Sequence, residues 1–187
     1  MLFEQPNQLL TERLLLKSPC LQDANRILAY RLENRDHLRP WEPARDDFFY
    51  TLQATENQLS TMRKQMEQET AKYWIVESRA NAEMVGECSF TNIVRGSFQA
   101  CHLGFSIARE FEGMGLMHEA LQTAISDIFV NHELHRIMAN FQPGNSRSEK
   151  LLSRLGFQYE GLALEYLKIN GKWMDHVLTS KINPIGQ

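Results

Sequence analysis

Gly113 and Gly115, in the run EFEGMGLMHEAL (110–121), stand immediately ahead of a long stretch of helical periodicity. Glycine costs backbone entropy in a helix, so two of them at its mouth point to a positive φ or to something that must approach the main chain. The chemistry such a loop can do is anion binding. The first amides of a helix have no partner within it and carry the positive end of its dipole. A P-loop is excluded, because no Gly-Lys-Ser/Thr closes the run. A dinucleotide fingerprint would place its third glycine at His118, and the next strand ends at Asn140–Phe141 without a ribose-binding carboxylate. A phosphate cradle of another kind and a plain tight turn both remain open.

A second candidate lies in GNSRSEKLLSRLGF (144–157), where Asn145 enters a helix and Ser148 sits in its first turn. Ser148 precedes Leu151, Leu152 and Leu155 by three, four and seven residues, so it shares their inward stripe. A hydroxyl there could meet a ligand lying along a sheet, or it is an ordinary first-turn serine. His132 and His135, in HELH, do not form HExxH and have no third ligand spaced nearby, so no metal site is expected. Both read as histidines whose charge suits a helix C-terminus. Met114, Met117 and Met138 read as packing.

The elements that must position these residues follow from periodicity. A short strand is expected at 13–18, then a helix over 21–34 with Ala24, Ile27, Leu28 and Arg31 on one face. LRPWEPARDD (38–47) reads as loop, since Pro40 and Pro43 remove donors and fix φ. Residues 52–70 form a polar helix with sparse apolar positions, an exposed cover. Strands follow at 72–78, 83–94 and 101–107; in the last, Cys101, Leu103, Phe105 and Ile107 alternate with His102, Gly104 and Ser106. Met117, Ala120, Leu121, Ala124, Ile125, Ile128 and Phe129 make one continuous apolar stripe behind the glycines. A strand at 136–141 leads to a helix over 146–157 with a capping box of Ser146 and Glu149 and a left-handed Gly156 at its end. Two strands close the chain, near 157–167 and 172–182, turned by Asn170–Gly171. The order β-α-α-β-β-β-α-β-α-β-β implies an α/β fold, a mixed sheet flanked by helices.

The bulk composition narrows the function. At 187 residues, with no linker, repeat or low-complexity stretch, one domain is expected. The formal charge of -3 argues against nucleic acid, and DNA in particular, as the main partner. Cys20, Cys88 and Cys101 are an odd number without a CxxC pair, which fits reduced thiols and a cytoplasmic setting. The start, MLFEQPNQLL, lacks the basic and apolar regions of a leader, and no run approaches the ~18 apolar residues of a membrane span.

LRPWEPARDD, NIVRGSFQACHLGFSI, GMGLMHEAL and HRIMANFQPGNSRSEKLLSRLGF together resemble the GNAT N-acetyltransferase superfamily, and within it the ribosomal-protein alanine N-acetyltransferases. The likeness covers about residues 10 to 182. It implies a splayed central sheet, acetyl-CoA as donor, no metal, and a protein N-terminal amine as acceptor, here the alanine of a small-subunit ribosomal protein, with association with the ribosome. It places the pyrophosphate loop on Glu112, Gly113, Met114, Gly115, Leu116 and Met117. Only Gly115 matches the family pattern strictly. Glu112 departs from it, since a carboxylate beside a pyrophosphate is repulsive unless it turns to solvent. Ile107 and Ala108 would extend the strand edge toward the pantetheine amides, and Asn145 and Ser148 match the family's Asn-x-x-Ser near the thioester.

Acetyl transfer needs a neutral amine, a polarised carbonyl and a proton for the departing thiolate. Ser148 is the candidate acid, because the tyrosine some relatives carry falls on Leu152. The glutamate that some relatives carry as base falls on Asn140, which leaves Glu42, Glu87 and Glu165 as candidates to order a water chain. The acceptor site is expected at RPWEP, with Trp41 as an apolar wall and Glu42 as a counter-charge, and Arg95 turning a strand beside the groove. Two other functions compete: acetylation of a small amine or drug on the same fold, and a non-catalytic acyl-CoA-binding, ribosome-associated module.

Overall fold

The computed structural model describes residues 8–184; the first seven residues, on which the absence of a leader is read, lie outside them. In chain order the strands are β1 (Gln8–Leu10), β2 (Leu14–Lys17), β3 (Lys72–Ser78), β4 (Met84–Val94), β5 (Ala100–Ile107), β6 (Arg136–Phe141), β7 (Gln158–Ile169) and β8 (Lys172–Ile182). The helices are α1 (Ala24–Glu33), α2 (Arg35–Leu38), α3 (Leu52–Glu67), α4 (Leu116–Val130) and α5 (Ser146–Arg154). The strands form one sheet in the order β1-β2-β3-β4-β5-β6-β8-β7. All neighbours are antiparallel except β5 and β6, which run parallel because α4 carries the chain back across the sheet. No described helix is long and apolar enough to cross a membrane.

Strand alternation sends side chains to two cores. Trp74, Val76, Cys88, Phe90, Cys101 and Leu103 pack against the apolar stripe of α4, against Leu152 of α5 and against Leu155 just past its end. Ile75 points the other way, into a smaller cluster with Ala24, Ile27 and Tyr30 of α1 and Leu59 of α3. Gly86 is the close-approach point on the α4 side. A Cβ there would lie 2.4 Å from the Ser106 carbonyl oxygen and 3.0 Å from the Met117 methyl.

The pairing of β5 with β6 stops early. Ala100, Cys101 and His102 pair with Arg136, Ile137 and Met138, after which the strands part. Leu103 to Ile107 therefore leave a free backbone edge toward β6, and the sheet splays as the family resemblance implies.

Local details differ from expectation in four places. The 38–47 stretch is a loop only over 42–46; Leu38 ends α2, Asp47 opens a 3₁₀ turn, and Arg39–Trp41 is another with Pro40 early in it, where the missing amide would have no partner anyway. The capping box of Ser146 and Glu149 does not form. Asn145 is the N-cap of α5, its Oδ1 accepting from the Ser148 amide at 3.1 Å, a role asparagine fills as well as serine. His132 is buried near Asp127 at 3.8 Å, and burial holds its pKa below the usual histidine value. It therefore does not supply the cation expected at the end of α4. Strand β1, which pairs with β2, stands ahead of the first expected strand, because three residues are too few for alternation to be read.

Other expectations stand. Asn170 and Gly171 both take positive φ, 44° and 81°, as the two-residue turn between β7 and β8 requires. Gly156 ends α5 at φ 84°. Cys20, Cys88 and Cys101 are free thiols, and burial pushes Cys101 up to about 12.

Candidate active site

Two hollows meet at the open end of β5. The larger, about 510 Å³, lies on the α4 and α5 side of the splay and is bordered by Ile107, the Glu112–Met117 loop and the first turns of α5. The smaller, about 320 Å³, lies on the α1 and α3 side and is bordered by Arg31, Glu42, Arg45 and Glu87. Phe105 and Ser106 border both.

The larger hollow has the chemistry of a phosphate site. Gly113 and Gly115 have φ of 76° and 75°, and Gly115 is the N-cap of α4. The amides of Leu116, Met117 and His118 open the helix and have no acceptor within it. No other group lies within 4 Å of where a Gly113 Cβ would stand, so the approach is open. Arg147, Lys150 and Arg154, at i, i+3 and i+7 of α5, line the same hollow together with His118. Sequence reasoning passed over these cations, although their spacing sets them on one helix face. The residues fit a pyrophosphate-bearing donor.

Glu112 does not turn to solvent. Its carboxylate is paired with Arg147 at 2.9 Å and faces His37 Nε2 at 3.4 Å, with the side chain 18% exposed. The expected repulsion is thus offset by a neighbouring cation, and a bridge joins the loop to α5 and α2. Met117 and Leu116 are buried in the core, so they serve the hollow through the backbone. Met114 is exposed and does not line it; its carbonyl accepts from Arg13 Nη1 at 3.0 Å. Ala108 is also turned away. Its amide is spent on Val85 and its carbonyl on Phe111, which leaves Ile107 as the strand-edge residue beside the hollow.

Ser148 is half-buried on the wall beside Leu151, and its hydroxyl makes no hydrogen bond among the described residues. Asn145 lines the wall too, but its side-chain oxygen is committed to the helix cap.

The three base candidates separate clearly. Glu87 is paired across the β4–β5 ladder with Ser106, on the same face, where directly opposed Cβ atoms lie about 4.5–5.5 Å apart. Ser106 Oγ is 2.8 Å from the Tyr30 hydroxyl. Burial raises the Glu87 pKa; Arg31 pulls it back and Glu42 adds to the rise. Glu42 is half-buried on the rim of the smaller hollow, and its carbonyl accepts from the Asn170 amide at 3.1 Å. Glu165 is exposed at an irregularity of β7, with φ 47° and its amide on Asp175, and borders neither hollow.

Of the acceptor candidates, Trp41 lines the larger hollow rather than the smaller. Arg95 is remote. It follows Glu87 by eight positions at the far end of β4, roughly 25 Å away at ~3.3 Å per residue, and it clasps the His132 carbonyl. No group of three metal-ligating side chains occurs among the described residues.

Comparison with known proteins agrees with this geometry. The acetyltransferase (GNAT) domain family matches residues 13–158. A ribosomal protein uS5 alanine N-acetyltransferase of Escherichia coli (strain K12) is 43% identical over 177 residues, 95% of this chain and 91% of that one. The crystal structure of a ribosomal-protein-S5-alanine acetyltransferase from Vibrio fischeri superposes with a TM-score of 0.91 at 38% identity, covering 96% of this chain and 98% of that one. Mycobacterium smegmatis RimJ, in complex with CoA-disulfide, superposes at 0.87 with 28% identity, covering 93% and 84%. A fold that agrees with these relatives over nearly the whole chain, in a molecule whose sheet splays beside a phosphate-ready loop, leads to one assignment: the chain belongs to the GNAT family and is an acetyl-CoA-dependent N-acetyltransferase.

Proposed function

We propose that this chain acetylates the N-terminal amine of a protein that begins with alanine, a small-subunit ribosomal protein as named for the E. coli and V. fischeri relatives. The supporting observation is the junction of the two hollows at Phe105 and Ser106, with Glu87 directly across the ladder from Ser106. The reaction belongs to the cytoplasm, where such acceptors emerge or assemble, and is carried by one catalytic domain.

Acetyl-CoA supplies an activated acyl group. The residues of the larger hollow hold it: amides at the start of α4 with Arg147, Lys150 and Arg154 toward the pyrophosphate, and the Ile107 edge toward the pantetheine arm. The acceptor amine enters from the smaller hollow as an ammonium. Glu87, kept weakly acidic by burial, takes its proton, so that the neutral amine faces the junction. Ser148 lies on the donor side, on the wall where a departing thiolate needs a proton. Holding the two reactants against one shared wall supplies much of the rate.

Intact-mass analysis of ribosomal proteins from cells with and without this chain tests the acceptor. One small-subunit protein should lose one acetyl mass from an alanine start when the chain is deleted. An unchanged ribosomal spectrum, with turnover of small amines in vitro, would move the function to the small-amine class.

A further inference from the structure

Helical spacing puts Arg31 on the apolar face of α1, and the residue is only 7% exposed. Its Nη1 is sealed from solvent with no hydrogen-bond partner, and neither Nη2 nor Nε bonds a described residue. The group is not idle surface, because it borders the acceptor hollow and the small cavity beside it under Phe49. The Phe49 ring stands 4.9 Å from its guanidinium carbon. Glu87 and Glu42 supply negative charge nearby, while Arg45 supplies positive charge and Tyr30 a phenol.

A guanidinium carries five donors in a fixed fork, and sealing its Nη1 from solvent without an acceptor is costly. Burial accordingly lowers its pKa. An apolar side chain would fill this place on α1 at lower cost, so the cation is held in readiness for an acceptor atom that the folded chain does not provide.

We propose that Arg31 is an acceptor-binding residue: its guanidinium donates to the carbonyl oxygen next to the acceptor's α-amine, so that the site takes α-aminoacyl groups in preference to plain alkyl amines. This rests on the assignment of the smaller hollow to the acceptor. A neutral carbonyl suits the hollow's charge. Glu42 and Glu87 are set against Arg31 and Arg45, and a ligand carboxylate would face repulsion from the first two. Geometry within the ligand fits as well. With the amine at Ser106 and Glu87, its carbonyl is only one carbon further on, inside the same hollow.

The test compares alaninamide with 2-aminopropane, which lacks the carboxamide. Thiol release gives kcat/KM for both, and calorimetry gives their binding to the CoA-loaded protein. The parent enzyme should prefer alaninamide, and Arg31→Met should shrink that preference about 10–100-fold, the worth of one hydrogen bond to a charged group. CoA affinity should not change. The melting temperature of Arg31→Met should not fall, because the cost of sealing a guanidinium nitrogen from water is removed together with its Phe49 contact; Arg31→Lys, with a charge but no fork, should keep only part of the preference. An equal loss on both amines, a parent without preference, or a variant that melts earlier with its preference intact would overturn the proposal. Failure of a ribosomal alanine-starting peptide, with alaninamide still preferred through Arg31, would instead overturn only the choice of acceptor protein.

Discussion

Glu87 illustrates how one residue can cost stability and serve chemistry. Its pKa is raised in the fold by burial, so the charged form is disfavoured relative to the unfolded chain. The contribution to stability is fully present below the ordinary glutamate value and is lost as pH rises through the raised one. Glu87→Gln should therefore melt later than the parent at neutral and alkaline pH, and the difference should close in acid. The same change should lower kcat about 10²–10⁴-fold, the usual worth of a general base, and abolish the acid limb that the parent's rate shows as Glu87 protonates. Thermal melts and steady-state kinetics across pH read both effects; a variant with near-parental kcat would remove Glu87 from the reaction. Ser148→Ala should lower kcat more than it raises KM if the hydroxyl protonates the thiolate, and a loss under about threefold would leave it as a helix residue.

At the scale of elements, the fold brings α4 hard against the sheet so that its first amides face the end of β5. Gly86 permits this, and Gly86→Ala would drive a methyl into the Ser106 carbonyl and the Met117 side chain. A destabilisation of about 1–3 kcal/mol is expected, measured by denaturant unfolding, as for other overpacked sites. Gly115→Asp tests the loop itself. Aspartate tolerates positive φ better than most residues, so the fold should hold while its charge opposes the pyrophosphate. The dissociation constant for acetyl-CoA should rise about tenfold or more, equivalent to about 1.4 kcal/mol or above, and an unchanged value would end the loop's assignment. These elements were legible because their signals are local. The stripe from Met117 to Phe129, the Asn170–Gly171 turn and the inward place of Ser148 each follow from a few residues of spacing. What was not legible depends on partners far along the chain. Glu112 finds Arg147 only when α5 packs beside the loop, the Ala108 amide is spent on Val85 by the β4–β5 register, and that same register sets Glu87 opposite Ser106. Arg95 was placed at the groove because a turn's position along its strand does not say at which end of the sheet it lies.

Across the whole molecule, distant segments close around the same region. The Asn170 amide of the β7–β8 turn holds the Glu42 carbonyl, and Gln142 reaches Pro40 from the end of β6. The loop carrying Trp41 and Glu42 is thereby fixed to the C-terminal half of the sheet, with Trp41 facing one hollow and Glu42 the other. The shared border at Phe105 and Ser106 has a consequence for inhibition. A molecule in which a short bridge joins the sulfur of CoA to the amine of an alanine-starting peptide would fill both hollows at once. Its second half would then bind at an effective concentration set by the bridge, so its affinity should exceed that of either half by about 10²–10⁴-fold without any new contact. Lengthening the bridge should erode the gain steadily, and a conjugate no tighter than CoA alone would mean that the two hollows cannot be occupied together.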